Sequence, residues 1–182
     1  NRNALSSPKV NIHNADAFKF VEASRDFFDV ILVDLPDPSS DTLAKLYSRA
    51  FYLLCLRRLS ADGILTTQAT SPFMASGAFW CIAETIEAAG GSRQYLPSLT
   101  VTPYHVHVPS FGEWGFIMAG RGAIDPQRLK PSVPTRYLNA EALSAMYSFG
   151  LDMRRSVTVA VNRLDRPVLQ TYYRKGWKRY NE

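Results

Sequence analysis

An apolar run that ends in two carboxylates constrains this chain more than any other feature. The run is Val30-Ile-Leu-Val33, and Asp34-Leu-Pro-Asp37-Pro38 follows it directly. Four consecutive aliphatic residues of this kind predict a strand that is buried on both faces, as in a parallel sheet. Asp34 would then lie at the carboxyl end of that strand, where open α/β sheets bind their ligands. The prolines stiffen the turn and disfavour helix in the residues before them.

Spacing alone leaves two interpretations of these acids open. Two carboxylates on a rigid loop at a sheet edge suit the capture and deprotonation of a cationic amine. Alternatively, the segment is a tight Asp-Pro turn in which an acid caps the next helix, a role that Ser40 or Asp41 could also fill.

The composition predicts one hydrophobic core and a mildly basic surface. The chain has 182 residues, of which 46% are hydrophobic, and a net charge of +5. Cys55 and Cys81 fall in separate predicted helices, which indicates buried thiols in a reducing compartment rather than a disulfide or a zinc site. The sequence contains no apolar run of membrane-spanning length and no signal-peptide pattern. We therefore expect a soluble, cytoplasmic domain.

Positive charge is concentrated towards the carboxyl terminus. Arg174, Lys175, Lys178 and Arg179 are interleaved with Tyr172, Tyr173, Trp177 and Tyr180. Such a pattern occurs in segments that contact nucleic acid or acidic lipid. It is also typical of an amphipathic helix whose aromatic side chains pack inwards, and we expect this second arrangement, with no nucleic-acid partner.

Strand and helix patterns alternate through the first ninety residues. Apolar periodicity predicts strands at 9–14, 28–33, 64–68, 101–108 and 114–119, the last two as an antiparallel pair, and helices at 16–22, 41–58, 76–89, 139–149 and 167–180. The alternation predicts an α/β fold with a doubly wound sheet and right-handed crossovers. We place a domain at 1–120 and a loop-rich, helical carboxyl-terminal extension at 121–182.

The chain contains no glycine-rich turn between an early strand and helix. Nucleotide-binding α/β domains normally open with such a turn, and an acid about 20 residues later binds the ribose. The sequence therefore predicts the latter part of a Rossmann-like sheet, without its first strands and glycine-rich loop.

At this point the motifs, in their order, match a known family. They are 14-NADA-17, 28-FDVILVDLPDP-38, 46-LYSRAFY-52, 59-LSADGI-64, 68-QATSP-72 and 108-VPSFGEWGF-116. The chain resembles the polyamine aminopropyltransferases, also called spermidine/spermine synthases, which have a methyltransferase-type fold. The resemblance covers most of residues 9–120. The Asp-Leu-Pro-Asp-Pro form is most similar to a bacterial branch whose members often carry membrane-spanning segments upstream.

The resemblance implies transfer of an aminopropyl group from decarboxylated S-adenosylmethionine to putrescine or a related amine, with release of methylthioadenosine. The adenosyl compound is a co-substrate, and the family uses no metal and no resident cofactor. Carried over by position, Asp34 is the general base. Asp37 holds the amine, together with Leu35 and Pro36 between the two acids.

The pair Asp16 and Ala17 matches the family residues that contact adenine. By its place in the sequence, Asp16 is also a candidate amino-terminal cap of the helix that follows. Both roles remain open at this point.

Several positions depart from the family pattern and concern the amine. Asp41 stands where the family usually has a proline that lines the thioadenosine pocket. The family's Pro-Thr-Tyr-Pro-Ser-Gly stretch is shortened to Pro109-Ser-Phe-Gly112, so Phe111 lacks the hydroxyl of the family tyrosine. Tyr104 is a candidate substitute for that hydroxyl, and Glu113 is a candidate third acid for a cationic substrate, with a surface role as its alternative.

The histidines allow a different hypothesis. His105 and His107 alternate, so on a strand they share one face, and with His13 they could hold a metal ion. No acid or cysteine cluster completes the set, and we therefore expect ordinary strand histidines and no metal site.

Two other functions, two properties of the whole protein and one property of these 182 residues complete the expectations. A methyltransferase shares the fold and the adenosyl group, and a non-catalytic domain for polyamine binding or subunit association is the second alternative. The resemblance also implies self-association, as well as membrane anchoring through segments outside this sequence. Because the cofactor loop is absent, we expect these 182 residues alone to be nearly inactive.

Overall fold

The structure, a computed structural model, describes residues 3–91, 99–122, 125, 128–156 and 158–181. The strands are β1 (Phe28–Val33), β2 (Leu59–Gln68), β3 (Leu99–Val108) and β4 (Gly112–Arg121). The α-helices are α1 (Ala17–Ala23), α2 (Asp41–Ala44), α3 (Arg49–Arg57), α4 (Ser76–Gly90), α5 (Ala140–Ala145) and α6 (Leu169–Asn181), and two 3-10 turns lie at Ala4–Ser6 and Lys45–Tyr47.

The four strands form one mixed sheet in the order β1-β2-β4-β3. β1 and β2 run parallel, with Ile31 opposite Leu65, while β4 runs antiparallel to both of its neighbours. The antiparallel pair predicted from the sequence is β3 and β4. These elements confirm the predicted α/β class.

The hydrophobic core lies between one face of the sheet and the helices α3 and α4. Its fully buried large side chains include Tyr52 and Leu56 from α3, Phe79, Ile82 and Ile86 from α4, and Leu65 and Ile117 from the sheet. Apolar residues at helical spacing place these side chains on the inward faces of α3 and α4. The core thereby fixes the carboxyl ends of β1 and β2, where the acidic loop begins.

β1 is buried on one face, so the prediction of a strand buried on both faces was wrong. Val33 is buried and Ile31 is half-buried against the core, whereas Val30 and Leu32 are 59% and 71% exposed. Successive side chains of a strand point to opposite faces. The side that carries Val30 and Leu32 faces away from the core and lies open to solvent in the described structure.

The strand predicted at residues 9–14 does not form. The structure has extended, exposed chain there. A strand needs a neighbour to satisfy its backbone groups, and among the described residues β1 pairs only with β2. Residues 9–14 alternate as a strand would, but no partner strand lies beside them in the described structure.

The single helix predicted at 41–58 is divided in two by Ser48. α3 starts anew there, because the Ser48 hydroxyl accepts from the amide of Phe51 at 3.3 Å. The side-chain amide of Asn162 donates to the backbone carbonyls of Ala44 and Tyr47, at 3.0 and 3.1 Å. Asn162 thus satisfies two carbonyls next to the break in the helix at Ser48. Because Asn162 is distant in sequence, local periodicity could not reveal this contact.

The carboxyl-terminal helix α6 is amphipathic, as predicted. Tyr172, Tyr173 and Trp177 pack against the core, while Arg174 and Lys175 are exposed. The side chains of Arg179 and Tyr180, which the sequence placed in the same pattern, lie outside the described residues. Helix α5 is shorter than the predicted 139–149, and the Asn139 side chain caps it.

Both cysteines are buried and reduced, in α3 and α4 as predicted. Burial raises the pKa of each thiol, Cys55 and Cys81, to about 12, so neither is a reactive thiolate at neutral pH. In the part of the chain that the structure describes, we find no helix with the length and apolarity needed to cross a membrane.

Candidate active site

The loop after β1 is anchored by two buried side chains. The Tyr47 hydroxyl lies 3.1 and 3.0 Å from the carbonyl oxygens of Leu35 and Pro36. The amide nitrogen of Gln68, at the end of β2, donates to the Leu35 carbonyl at 2.7 Å and to the Tyr47 hydroxyl at 2.5 Å. Burial and the nearby charge of Asp37 raise the pKa of Tyr47, so its hydroxyl remains a donor.

Neither acid of the loop caps the next helix. The Ser40 hydroxyl takes that role and accepts from the amide of Leu43 at 3.3 Å. The alternative in which Asp34 or Asp37 serves as a helix cap is therefore excluded, and both carboxylates are available for another role.

Asp37 is the half-buried acid of the pair, and two donors hold it. Its two oxygens accept from the Gln68 amide at 3.2 Å and the Thr70 hydroxyl at 3.3 Å. Burial raises the pKa of Asp37, and hydrogen bonds to its carboxylate oppose that shift. The arrangement presents a fixed, poorly hydrated carboxylate, which attracts a cation more strongly than an exposed one does.

Asp34 has a different environment from Asp37. It follows Val33 at the carboxyl end of β1 and is exposed. None of the described side chains forms a hydrogen bond or an ion pair with its carboxylate. Asp34 is therefore free to approach a ligand, while Asp37 is held rigidly three residues away in the sequence.

Thr70 supports the site from a strained backbone. Its φ of 58° is left-handed, which is unusual for a β-branched residue. Its amide donates to the Gln68 side-chain oxygen at 2.9 Å, and its carbonyl accepts from the amide of Gly115 at 2.7 Å. Such strain persists only where the surroundings determine it, and it is common at functional sites.

Asp16 caps α1, as one of its two proposed roles requires. One carboxylate oxygen, Oδ1, accepts from the amides of Phe18 and Lys19 at 2.9 and 3.1 Å, and Oδ2 lies 3.9 Å from the ammonium of Lys45. The hydrogen bond from Lys19 is the main cause that lowers the pKa of Asp16. Ala17 is the first residue of the helix. Since Oδ2 makes only this long contact, it remains able to accept from an adenine amine.

Tyr104 and Glu113 are not joined to the acids of the loop by any contact among the described residues. The Tyr104 hydroxyl lies 3.0 Å from that of Thr66, and its ring stacks on Phe116. Burial raises the pKa of Tyr104. The hypothesis that Tyr104 supplies the hydroxyl that Phe111 lacks therefore gains no support from contacts among the described residues.

Glu113 lies between the two strand histidines. Its oxygens lie 2.7 Å from Nδ1 of His105 and 3.1 Å from Nδ1 of His107, which confirms that the histidines share one face. Burial favours the neutral acid, but these hydrogen bonds outweigh it and lower the pKa of Glu113. His13 instead contacts the ring of Phe20. Among the described residues, no group of three histidine, cysteine or acidic side chains is arranged to hold a metal ion.

Sequence reasoning missed the two residues that hold Asp37. Gln68 and Thr70 belong to the motif that begins at Gln68, but they received no role. They lie at the carboxyl end of β2, the second parallel strand, and the rule that placed Asp34 at a ligand-binding edge applies to them as well.

The family comparison identifies the first two thirds of the chain. Residues 1–123 match the family model described as "Spermine/spermidine synthase domain". Polyamine aminopropyltransferase 2 of Ralstonia nicotianae is 42% identical over 180 residues, which are 97% of this chain and 33% of that protein. The polyamine aminopropyltransferase of Leptospira interrogans is 41% identical and matches 98% of this chain and 34% of its own length. The chain thus spans about a third of the length of these curated relatives.

Solved structures agree on the fold. A spermidine synthase in complex with the transition-state analogue AdoDATO superimposes with a TM-score of 0.64 at 24% identity, over 80% of this chain and 50% of that one. The Thermotoga maritima spermidine synthase gives a TM-score of 0.59 at 20% identity, over 80% and 48% of the two chains.

Proposed function

Since this chain belongs to the spermine/spermidine synthase family, we propose that the whole protein is a polyamine aminopropyltransferase. It would transfer an aminopropyl group from decarboxylated S-adenosylmethionine to putrescine or a related amine and release methylthioadenosine. The observation that carries this proposal is the pair of unlike acids at the end of β1, one exposed and one held by two donors, in a chain of this family.

Proton removal is the first task of the site. A primary amine has a pKa of about 10, so it arrives as an ammonium ion and cannot attack carbon. The Asp34 carboxylate would accept one ammonium proton as the nitrogen attacks the carbon next to the sulfonium. The carbon–sulfur bond then breaks, and its electron pair goes to sulfur, which becomes the neutral thioether of methylthioadenosine.

Holding the amine is the second task. Asp37 would bind an ammonium group and fix the direction of attack, because its donors leave little freedom for its carboxylate. The carbonyl oxygens of Leu35 and Pro36 are fixed by Tyr47 and Gln68. The Leu35 carbonyl oxygen already accepts from both side chains. The Pro36 carbonyl oxygen accepts from Tyr47 alone, so its second lone pair could also accept from the ammonium.

The adenosyl co-substrate would bind near the start of α1. Oδ2 of Asp16 is suited to accept from the exocyclic amine of adenine, while Oδ1 caps the helix. Ala17 presents a small side chain beside it, which leaves room for a flat ring.

Two properties of the whole protein belong to the same proposal. We expect it to associate with copies of itself, as the family resemblance implies. We also expect anchoring of the whole protein to a membrane, with this domain on the cytoplasmic side.

The test uses the full-length protein. Incubation with decarboxylated S-adenosylmethionine and a panel of diamines, followed by mass spectrometry of methylthioadenosine, would show release that depends on one amine. Asp34→Asn should abolish release, whereas Asp62→Asn, the same change at an exposed acid on β2 outside the loop, should not. A failure to release methylthioadenosine with any amine would contradict the proposal and favour a methyltransferase or a non-catalytic polyamine-binding domain.

A further inference from the structure

Helix α6 reaches the acidic loop from the far end of the chain. The side-chain amide of Gln170 donates to the backbone carbonyl of Ser39 at 2.9 Å, across 131 residues of sequence. The family model ends at residue 123, so this contact comes from outside the region that defines the family. It joins the loop that carries Asp34 and Asp37 to a helix that the family model does not include.

The position of α6 is fixed independently of this contact. Leu169, its first residue, is fully buried, and its amide donates to the side-chain oxygen of Asn162 at 3.3 Å. Gly176 packs so closely on the start of α4 that an added Cβ would lie 2.6 Å from Cα of Ala75. The side chain of Gln170 therefore extends to the loop from a rigid support.

The loop between β1 and α2 contains neither helix nor strand, so no backbone ladder fixes its path. Side chains from other elements hold it instead. Tyr47 and Gln68 bond to backbone carbonyls in its first half, and Gln170 bonds to the Ser39 carbonyl in its second half. We expect the conformation of each half to depend on its own donors.

Ser39 lies between Asp37 and the cap of α2. Its amide donates to the Asp37 carbonyl at 2.7 Å, and the next residue, Ser40, caps the helix. Pro38 is buried, and its ring restricts the backbone between Asp37 and Ser39. Asp37 and Gln170 thus hold Ser39 from two sides, at its amide and at its carbonyl.

The two acids depend on different parts of this structure. Asp34 directly follows Val33, which pairs with Thr67 of β2, so the sheet fixes the backbone at Asp34. Asp37 lies three residues further, where the backbone bonds to Ser39. Movement of the second half of the loop would therefore displace Asp37 more than Asp34.

We propose that Gln170 is a positioning residue for the amine site: by fixing the Ser39 carbonyl, it keeps the half of the loop that carries Asp37 in place. This inference rests on the proposed function. It makes α6 a support of the amine site.

The test compares Gln170→Leu with Thr171→Val in the full-length protein. The first change removes the donor, and the second removes the hydroxyl of an exposed neighbour on the same helix. We expect Gln170→Leu to raise KM for the amine about 5-fold, as for one lost hydrogen bond between neutral groups. kcat should stay unchanged, because the sheet fixes Asp34. Thr171→Val should change neither constant.

Hydrogen exchange of the full-length protein supplies a readout that does not depend on activity. The amides of Ser39 and Leu43 are bonded to the Asp37 carbonyl and to the Ser40 hydroxyl. We expect a peptide that contains both amides to exchange faster in the Gln170→Leu variant, because its segment opens more often. Exchange of α4 should match that of the wild type.

The outcomes separate the two proposals. If Asp37→Asn weakens amine use while Gln170→Leu leaves KM for the amine unchanged, the role of Gln170 is refuted and the proposed function stands. A fall in kcat at unchanged KM also refutes the role, since a smaller folded fraction would have that effect. If neither Asp34→Asn nor Asp37→Asn affects release of methylthioadenosine, the proposed function itself fails.

Discussion

The side-chain amide of Gln68 donates to the carboxylate of Asp37 at 3.2 Å, and this contact joins the end of β2 to the loop that follows β1. The same amide group fixes the loop backbone at Leu35. A single glutamine therefore sets both the path of the loop and the direction of its buried acid. The consequences for stability can be measured, because a half-buried carboxylate has an energetic cost even when it is well bonded.

Asp37→Asn should stabilise the full-length protein at pH 7 while it weakens amine use. Burial raises the pKa of Asp37 in the folded state above the ordinary 3.8, so between these two pKa values the folded state binds more protons than the unfolded one. Stability is then lost as pH rises through this window. The advantage of the Asp37→Asn variant should shrink as the pH is lowered towards about 4, in urea unfolding from pH 4 to 7.

Asp34→Asn is the matched control for that experiment. Asp34 is exposed in the same loop, and surface substitutions of this kind usually change stability by less than about 0.5 kcal/mol. If the Asp37→Asn variant is less stable than the wild type at pH 7, the hydrogen bonds to the Asp37 carboxylate outweigh the cost of burial and the prediction is wrong.

Two substitutions of Thr70 separate the effect of its hydrogen bond to Asp37 from the effect of its packing. Thr70→Ser and Thr70→Ala both remove the buried methyl group, but only the alanine variant loses the donor to Asp37. We expect KM for the amine to rise by at least about 10-fold in the alanine variant, as for one lost hydrogen bond to a carboxylate, and to stay near the wild-type value in the serine variant. Steady-state kinetics at several amine concentrations would check this, and equal KM values in the two variants would disprove it.

Asn162 should be one of the most sensitive positions for stability. It is 1% exposed, donates to two carbonyls and accepts from the amides of Val168 and Leu169. Asn162→Ala leaves these buried groups unpaired, and we expect a loss of about 3 kcal/mol of unfolding free energy. Asn139→Ala removes an exposed cap of α5 and should cost only about 1 kcal/mol. Urea unfolding of both variants would test the difference, and similar losses would contradict it.

The isolated 182 residues should have less than about 1% of the activity of the full-length protein. The chain spans about a third of its relatives, and the family resemblance assigns the glycine-rich cofactor loop to a part that this sequence does not contain. Methylthioadenosine release, measured at equal concentrations of the two proteins, tests this expectation. Turnover by the isolated chain at a rate close to that of the full-length protein would show that the remaining contacts suffice.

Local patterns predicted the parts of the site that lie close together in sequence. The apolar run of β1 and the two prolines after it were enough to place Asp34 and Asp37 on a loop at the end of a strand. The hairpin of β3 and β4 was equally clear, because alternation and the turn residues agree there.

The rest depends on contacts that no window of sequence contains. The strand pattern at 9–14 has no partner in the described structure, and the exposed side of β1 shows that an aliphatic run does not by itself reveal which faces are covered. The break at Ser48 is completed by Asn162, more than 100 residues later. Gln170 is likewise brought to the Ser39 carbonyl by the packing of α6 on α4. Periodicity identifies α6 as amphipathic but cannot show where the helix packs.

The contact between Gln170 and Ser39 also sets an order of events during synthesis. The acidic loop leaves the ribosome 131 residues before the helix that completes it. At translation rates of about 5–20 residues per second, the loop waits roughly 7–26 seconds for the donor that Gln170 supplies. During that interval the Ser39 carbonyl is without this partner, so the loop should reach its final conformation only after α6 has left the ribosome.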